Sequence, residues 1–446
     1  MSFDGFVKRT AYWADDYVHG KKVRRFYDDL KKVHKSYETG YPIQQEHLNE
    51  MLTHATTYSP YYKKFAECNK GGSWDLTAFP VVNKTILKEN YDAICVPIEN
   101  IPEQEGKPLF IQKTSGSTGA PFALPMDKRK RDRRVAEIKY FNELVGFKSH
   151  ERLGQCRVWT AWHNKSKKDV FKENIFPISI AKMDEETTKG LIKTVKDNKI
   201  VALRAYASWF EVLVDYLEKN KEAVADLKTL KVCFSTSETL NPVTYERMLA
   251  LTGVPIMESY AGEEEGIMGH KTFESNGNYM LNHSGYVFEF LKEDSDEPAL
   301  PGEMARIVVT DLFNYAFPMI RYDTGDMAVY REGADWSHGW KYISELYGRR
   351  MDVVYSTKGE PLHPMNFGRI LKNIPGITQY QFIQKGQNDY KIKLNVTESC
   401  DVDDLMAKVR GIVGEDANVQ IEFVDDIPVL NSGKRKPIVS EWKPEK

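Results

Sequence analysis

The sequence predicts a two-part α/β protein, and three features of it carry that prediction. Between residues 105 and 345, short β-rich runs (LFIQKTSGS, VALRAYA, KVCFSTS, GYVFEFL, ARIVVTDL) alternate with helical stretches, the pattern of sheets covered by helices. Roughly the first hundred residues read as helical, with Leu48, Met51 and Leu52 at helical spacing and a break at Ser59-Pro60. Near Gly348 the texture becomes turn-rich (GRRMDVVYSTKGEPLHP), and strands QYQFIQK, DYKIKLNV and VQIEFV then surround a helix over Val402–Val413. The expected architecture is a large N-terminal domain over residues 1–347 and a small C-terminal α+β domain over residues 348–446, with a hinge around residues 347–352.

Bulk properties fit this division. A chain of 446 residues with 41% hydrophobic side chains can bury a full core and hold two or three structural units at about 100–200 residues each. The formal charge of −2, from 62 basic and 64 acidic side chains, supplies no global field toward nucleic acid or an anionic membrane, so small molecules or proteins are the expected partners. The N-terminal MSFDGFVKRTAYW has no signal-peptide core, and the most apolar stretch, residues 200–217, contains Arg204, Glu211 and Asp215; it reads as a packed amphipathic helix rather than a membrane span. Five dispersed cysteines form no CxxC pair or dense disulfide pattern, which suits reduced thiols in a cytoplasmic protein. No internal repeat or low-complexity tract is evident.

Five segments hold residues suited to nucleotide chemistry. Thr114, Ser115, Gly116, Ser117, Thr118 and Gly119 follow an apolar run; glycines free backbone N–H groups and hydroxyls add donors, a composition that suits phosphate oxygens as well as an ordinary surface turn. No Gly-Lys-Ser/Thr follows, so it is not a Walker loop. The segment Ser259 to Gly266 places Glu263, Glu264 and Glu265 beside Tyr260, a candidate Mg²⁺ site or, by composition alone, a solvated acidic turn. Asp326, after a Thr-Gly turn, has the chemistry to accept ribose hydroxyls. Gly348-Arg349 opens the small domain, and Lys434, in Asn-Ser-Gly-Lys-Arg-Lys, sits on a glycine-containing basic loop able to meet a developing phosphoryl charge.

In order, TSGSTGAP, SYAGEEEG, RYDTGD, GRRMD with the later GEPLHP, and SGKRKP resemble the core motifs of the acyl- and aryl-adenylate-forming superfamily. The stretches LNEMLTHATTYSPYYKKF, FPVVNKTILKENYD and LPGEMARIVVTDLFNYAFPMIRYDTGD are similar to its phenylacetate-CoA ligase-like branch, which includes capsule-biosynthesis relatives. The resemblance implies an ATP-dependent enzyme with a mobile C-terminal domain, which forms an acyl-AMP from a small carboxylic acid and passes the acyl group to coenzyme A. By the same resemblance, residues 114–119 close over the β- and γ-phosphates, Glu264 holds Mg²⁺, Asp326 grips the ribose with Arg349 nearby, Ser235, Thr236 and Ser237 lie along adenine, and Lys434 acts in adenylation. It also suggests a homodimer.

Three positions depart from the family pattern: Phe122 where a lysine is often found, Glu263 where a threonine is usual, and Met351 with Asp352 following where the hinge aspartate is expected. Trp159, Trp162 and His163 are expected to pack against strands, with an acid pocket as the alternative. The basic run Lys128, Arg129, Lys130, Arg131, Arg133 and Arg134 is expected to be a solvated helix face. Two other functions share the motifs: adenylation with transfer to an amine in surface-polysaccharide assembly, and nucleotide binding without ligase activity.

Overall fold

A computed structural model describes residues 2–104, 106–113, 122–157, 166–180, 184–236, 240–349, 353–362, 366–367, 370–371, 374, 376–396, 400–427 and 437–442. The chain divides into two compact units: residues 1–151, 171–174 and 257–346 form the first, and residues 152–170, 175–256 and 347–446 the second. No helix among the described residues is long and apolar enough to cross a membrane, and all five cysteines are free thiols.

The first unit opens with the helices Phe3–Val18, Arg24–Val33 and Tyr37–Tyr58. Ser36 caps the third through a hydrogen bond accepted from Thr39 N, and that helix ends at the expected Ser59-Pro60 break. Behind the helices, antiparallel strands lie in the order Tyr286–Leu291, Met304–Asp311, Tyr322–Arg331, Tyr342–Arg349, Tyr279–Leu281, Gly266–Lys271 and Ile256–Gly262. Leu30, Leu52, Phe141, Tyr286 and Phe317 belong to their shared core.

Gly40 marks a close approach in this packing. A Cβ there would fall 2.1 Å from Val33 O and 2.8 Å from the Trp340 ring, whose Nε1 donates to the same carbonyl. Gly40→Ala should therefore lose about 1–3 kcal/mol of stability by overpacking. Chemical denaturation checks this, and an unchanged midpoint would show that the helix shifts freely.

The second unit contains a parallel sheet in the order Val232–Thr236, Ala202–Tyr206, Leu153–Arg157, Ile175–Ser179, with the helices Glu185–Asn198, Ala207–Lys219 and Pro242–Thr252 packed around one core. Pro242 at the start of the last helix and Gly253 at φ 71° just past its end set its limits. Residues 200–217 are not one helix: Ala202–Tyr206 is a strand paired on both sides, and the helix starts at Ala207. A strand buried on both faces lacks the alternation that separates it from an apolar helix.

The C-terminal part of this unit has its own core of Phe382, Tyr390, Leu405, Val409 and neighbours. The strands Ile377–Gln384 and Asp389–Val396 pair antiparallel, Asn418–Phe423 and Ile438–Ser440 join in parallel, and the helix spans Val402–Val413 as the sequence suggests.

The basic helix Lys128–Leu144 differs from expectation. Lys130 and Arg133 are fully buried. Lys130 Nζ lies 2.7 Å from Asp311 Oδ2 and donates to Tyr286 OH at 3.0 Å. Arg133 Nη1 lies 2.6 Å from Asp29 Oδ2, its Nε lies 3.4 Å from Glu137 Oε1, and its Nη2 donates to Ser284. These cations are inside because carboxylates from other elements meet them there. At the head of the helix, buried Asp127 caps Lys130 N at 2.8 Å and also accepts from Tyr315 N and Ala316 N.

Candidate active site

Two neighbouring structures in the first unit assemble the candidate site. One is the hairpin of Ile256–Gly262 and Gly266–Lys271, whose turn is Glu263-Glu264-Glu265. Gly266, at φ 108°, takes a backbone conformation that favours glycine, and a Cβ on Gly262 would lie 1.8 Å from Glu265 Oε2 and displace that carboxylate.

The three glutamates have different fates. Glu263 is exposed; its carboxylate accepts from Gln112 Nε2 at 2.6 Å and its carbonyl from Arg134 Nη1 at 3.2 Å. Glu265 is buried, and its carbonyl accepts from Tyr286 OH at 2.5 Å. Glu264 is buried and accepts from Lys84 Nζ at 2.9 Å. The turn is therefore not uniformly solvated: Glu264 and Glu265 are buried, and only Glu263 remains at the surface.

The second structure is the strand Tyr322–Arg331. Its pairing with Met304–Asp311 shifts, with Val308 opposite Asp323 and Arg306 opposite Met327, so Thr324, Gly325 and Asp326 together face Ile307. Gly325 has φ 77°, its N–H donates to Asp323 Oδ1 at 2.9 Å, and Thr324 Oγ1 donates to Ile307 O at 3.0 Å. The bulge lifts Asp326 out of the ladder, where its half-buried carboxylate accepts from Tyr260 OH at 3.0 Å. Burial, followed by the negative charge of Asp326, raises the Tyr260 phenol well above its ordinary value. Tyr260 therefore stays protonated and orients the carboxylate.

The structure thus brings Tyr260 and Asp326 into contact and sets Glu264 on the same hairpin as Tyr260. Ser235 and Thr236 end the strand Val232–Thr236 in the second unit; Ser235 is buried and Thr236 Oγ1 donates to Ala205 O at 3.4 Å. Thr114 to Gly119, Ser237, Lys434 and the side chain of Arg349 lie outside the described residues, as do Trp159, Trp162, His163, Met351 and Asp352. Arg349 ends the strand Tyr342–Arg349.

Lys84 was not singled out from the sequence. Its neighbour Asn83 caps the helix Lys84–Glu89 by accepting from Thr85 N and Ile86 N at 3.0 Å. Val82 is laddered to Arg321 O at 2.9 Å and to Asp323 N at 2.8 Å, which ties the root of Lys84 to the bulged strand. The Val-Asn-Lys-Thr helix start was visible in the sequence, but Glu264, its partner, is 180 residues away. Phe122 is buried against Tyr91 and Phe317, and Lys84 Nζ lies 5.8 Å from its ring centroid.

Among the described residues no group of three or more His, Cys, Asp or Glu side chains gathers as a metal cage. Mg²⁺ is commonly held by one or two carboxylates together with substrate phosphates and waters. Glu264 fits that arrangement.

Residues 354–441 match the CapK C-terminal domain family. The chain is 20% identical over 380 residues to the phenylacetate-coenzyme A ligase of Thermus thermophilus, covering 80% of this chain and 81% of that one. It is 20% identical over 419 residues to the enzyme of the same name from Escherichia coli K12, covering 86% and 91%. Its fold is similar to that of 2-hydroxyisobutyryl-CoA ligase in the postadenylation state in complex with 2-HIB-AMP, with a TM-score of 0.73, 16% identity, and 92% of this chain and 91% of that one covered. The chain is thus similar in sequence to phenylacetate-CoA ligases, matches the CapK C-terminal domain family over residues 354–441, and takes a fold similar to that of an acid-CoA ligase.

Proposed function

We propose that this protein uses ATP to activate a small carboxylic acid as its acyl-AMP and then transfers the acyl group to coenzyme A. The observation that carries the proposal is the Tyr260–Asp326 contact, with Glu264 on the same hairpin as Tyr260, in a chain similar to CoA ligases. In the first half-reaction a carboxylate oxygen attacks the α-phosphorus, a new C–O–P linkage forms, and the bond to pyrophosphate breaks. In the second the coenzyme A sulfur attacks the acyl carbon, its proton is lost, and AMP leaves.

In this reading Asp326, oriented by Tyr260, accepts the ribose hydroxyls, and Glu264 is the protein's ligand to Mg²⁺. Mg²⁺, when bound, offsets phosphate charge. Residues 114–119 hold the outer phosphates, Ser235, Thr236 and Ser237 flank adenine, Arg349 approaches the nucleotide, and Lys434 serves adenylation from the smaller domain, residues 348–446. Free thiols and the use of ATP suit the cytoplasm.

The test is acid-dependent pyrophosphate release with ATP and Mg²⁺ across aromatic, aliphatic, hydroxy and amino acids, with and without coenzyme A. Release stimulated by one acid, followed by thioester formation, supports the proposal; acyl-AMP that never yields a thioester defeats the choice of acceptor. The CapK-type domain favours one second reading, transfer to an amine in surface-polysaccharide assembly, recognised by amide formation that depends on an added amine. Tight ATP binding with no release for any acid would indicate a nucleotide-binding protein without ligase activity.

For Asp326→Ala we expect ATP to bind about ten-fold more weakly while turnover at saturating ATP changes little, because the ribose is remote from the reacting phosphorus. Calorimetric affinity and steady-state kinetics check this; a large fall in saturated turnover at unchanged affinity contradicts the role.

A further inference from the structure

We propose that Lys84 is a phosphate-binding residue of this site, holding the Glu264 carboxylate in the free protein and turning to the outer phosphate oxygens of ATP when the carboxylate engages the divalent cation. The proposal rests on the reading of Glu264 and Asp326 as nucleotide contacts.

The geometry separates a fixed root from a movable tip. Val82 and Asn83 pin the backbone through the ladder to Arg321 and Asp323 and through the helix cap. The ammonium at the end of the four-carbon stem is on Glu264 Oε1 at 2.9 Å. The lysine side chain is 26% exposed and its partner 9%, so the cation stands on the solvent side of a carboxylate that is otherwise closed in.

Charge also argues for the exchange. Glu263, Glu264, Glu265 and Asp326 put four carboxylates around the hairpin and bulge, and a triphosphate adds more negative charge. Glu264 alone would repel it. A lysine that neutralises Glu264 before binding, and is released when a divalent cation takes over the carboxylate, keeps the charge compensated in both states. Phe122, which replaces a lysine of the family pattern, lies beneath this ammonium, with 5.8 Å from Nζ to the ring centroid. A cation is thus supplied beside position 122 from a different segment of the chain. A surface ion pair with no ligand role would not require these arrangements to coincide.

The test is calorimetric binding of ATP and AMP to the full chain, in Mg²⁺ and in EDTA. Lys84→Met should bind ATP about ten-fold more weakly in Mg²⁺ and AMP within about two-fold of wild type, and Lys84→Arg should restore most of the loss. Lys84→Gln supplies the same comparison if the methionine variant does not fold. In EDTA, Glu264→Gln should bind ATP several-fold more tightly, because the lysine is released, and the gain should vanish in the double variant with Lys84→Met.

Equal losses for ATP and AMP, or an EDTA gain that persists in the double variant, would overturn the proposal while leaving the nucleotide site standing. Wild-type protein that binds neither nucleotide would instead remove the nucleotide site itself.

Discussion

Lys434→Ala should slow acid-dependent pyrophosphate release by about 10²–10³-fold and leave thioester formation from supplied acyl-AMP close to the wild-type rate. The magnitude is the usual one for removing a single electrostatic contact to charge that develops in the transition state. The asymmetry comes from chemistry. During adenylation the attacking carboxylate and the α-phosphate are both anionic, and a bridging ammonium acts on both; in thioester formation a neutral acyl carbon is attacked and AMP departs. Single-turnover measurement of each half-reaction checks the prediction. Equal losses in both would contradict the proposed role of this lysine in adenylation alone.

The second large effect concerns stability. Arg133→Ala should destabilise the protein by about 3–5 kcal/mol, because it leaves Asp29 and Glu137 without their buried cation. Burial alone would raise the Asp29 carboxyl, but the hydrogen bond from His47 and the charge of Arg133 outweigh it and hold the group well below the usual carboxylate range. A depressed folded-state value contributes stability that is present above the unfolded value of about 3.9 and is lost as pH falls through the folded one. Denaturant unfolding of the variant should therefore show a lower midpoint near pH 7 and a weaker decline toward acid. A midpoint equal to wild type would mean that the helix is held by its apolar face alone.

The elements legible in the sequence were those fixed by local pattern. The helix over Val402–Val413, the strand Asp389–Val396 and the break after Tyr58 follow from periodicity and from Pro60, which act within a few residues. Tyr260, Glu264 and Asp326 were legible because five short motifs occur in a known order, and the structure brings Tyr260 and Asp326 into contact.

What was not legible depends on partners far along the chain. Arg133 looked solvent-facing because Asp29 is 104 residues away, and Lys84 looked like an ordinary helix-start lysine because nothing near it indicates Glu264. Composition also could not assign separate environments to the three adjacent glutamates: the hairpin turn leaves Glu263 exposed and buries Glu264 and Glu265. Residues 200–217 misled for the related reason that apolarity alone does not separate a central strand from a helix.

The bulge that carries Asp326 has a further consequence, which comes from parity. From Val308 to Arg306 is two steps on one strand, while from Asp323 to Met327 is four on the other, so the excursion contains an even number of extra residues. Side chains alternate faces with a period of two, and an even excursion returns the strand to its ladder with inside and outside unchanged. The pairs Val308–Asp323 and Arg306–Met327, on either side of the excursion, accordingly lie on the same face of the sheet. Thr324, Gly325 and Asp326 therefore sit in an insertion within the ladder: removing two residues would restore a regular register, whereas removing one would turn the whole distal strand over.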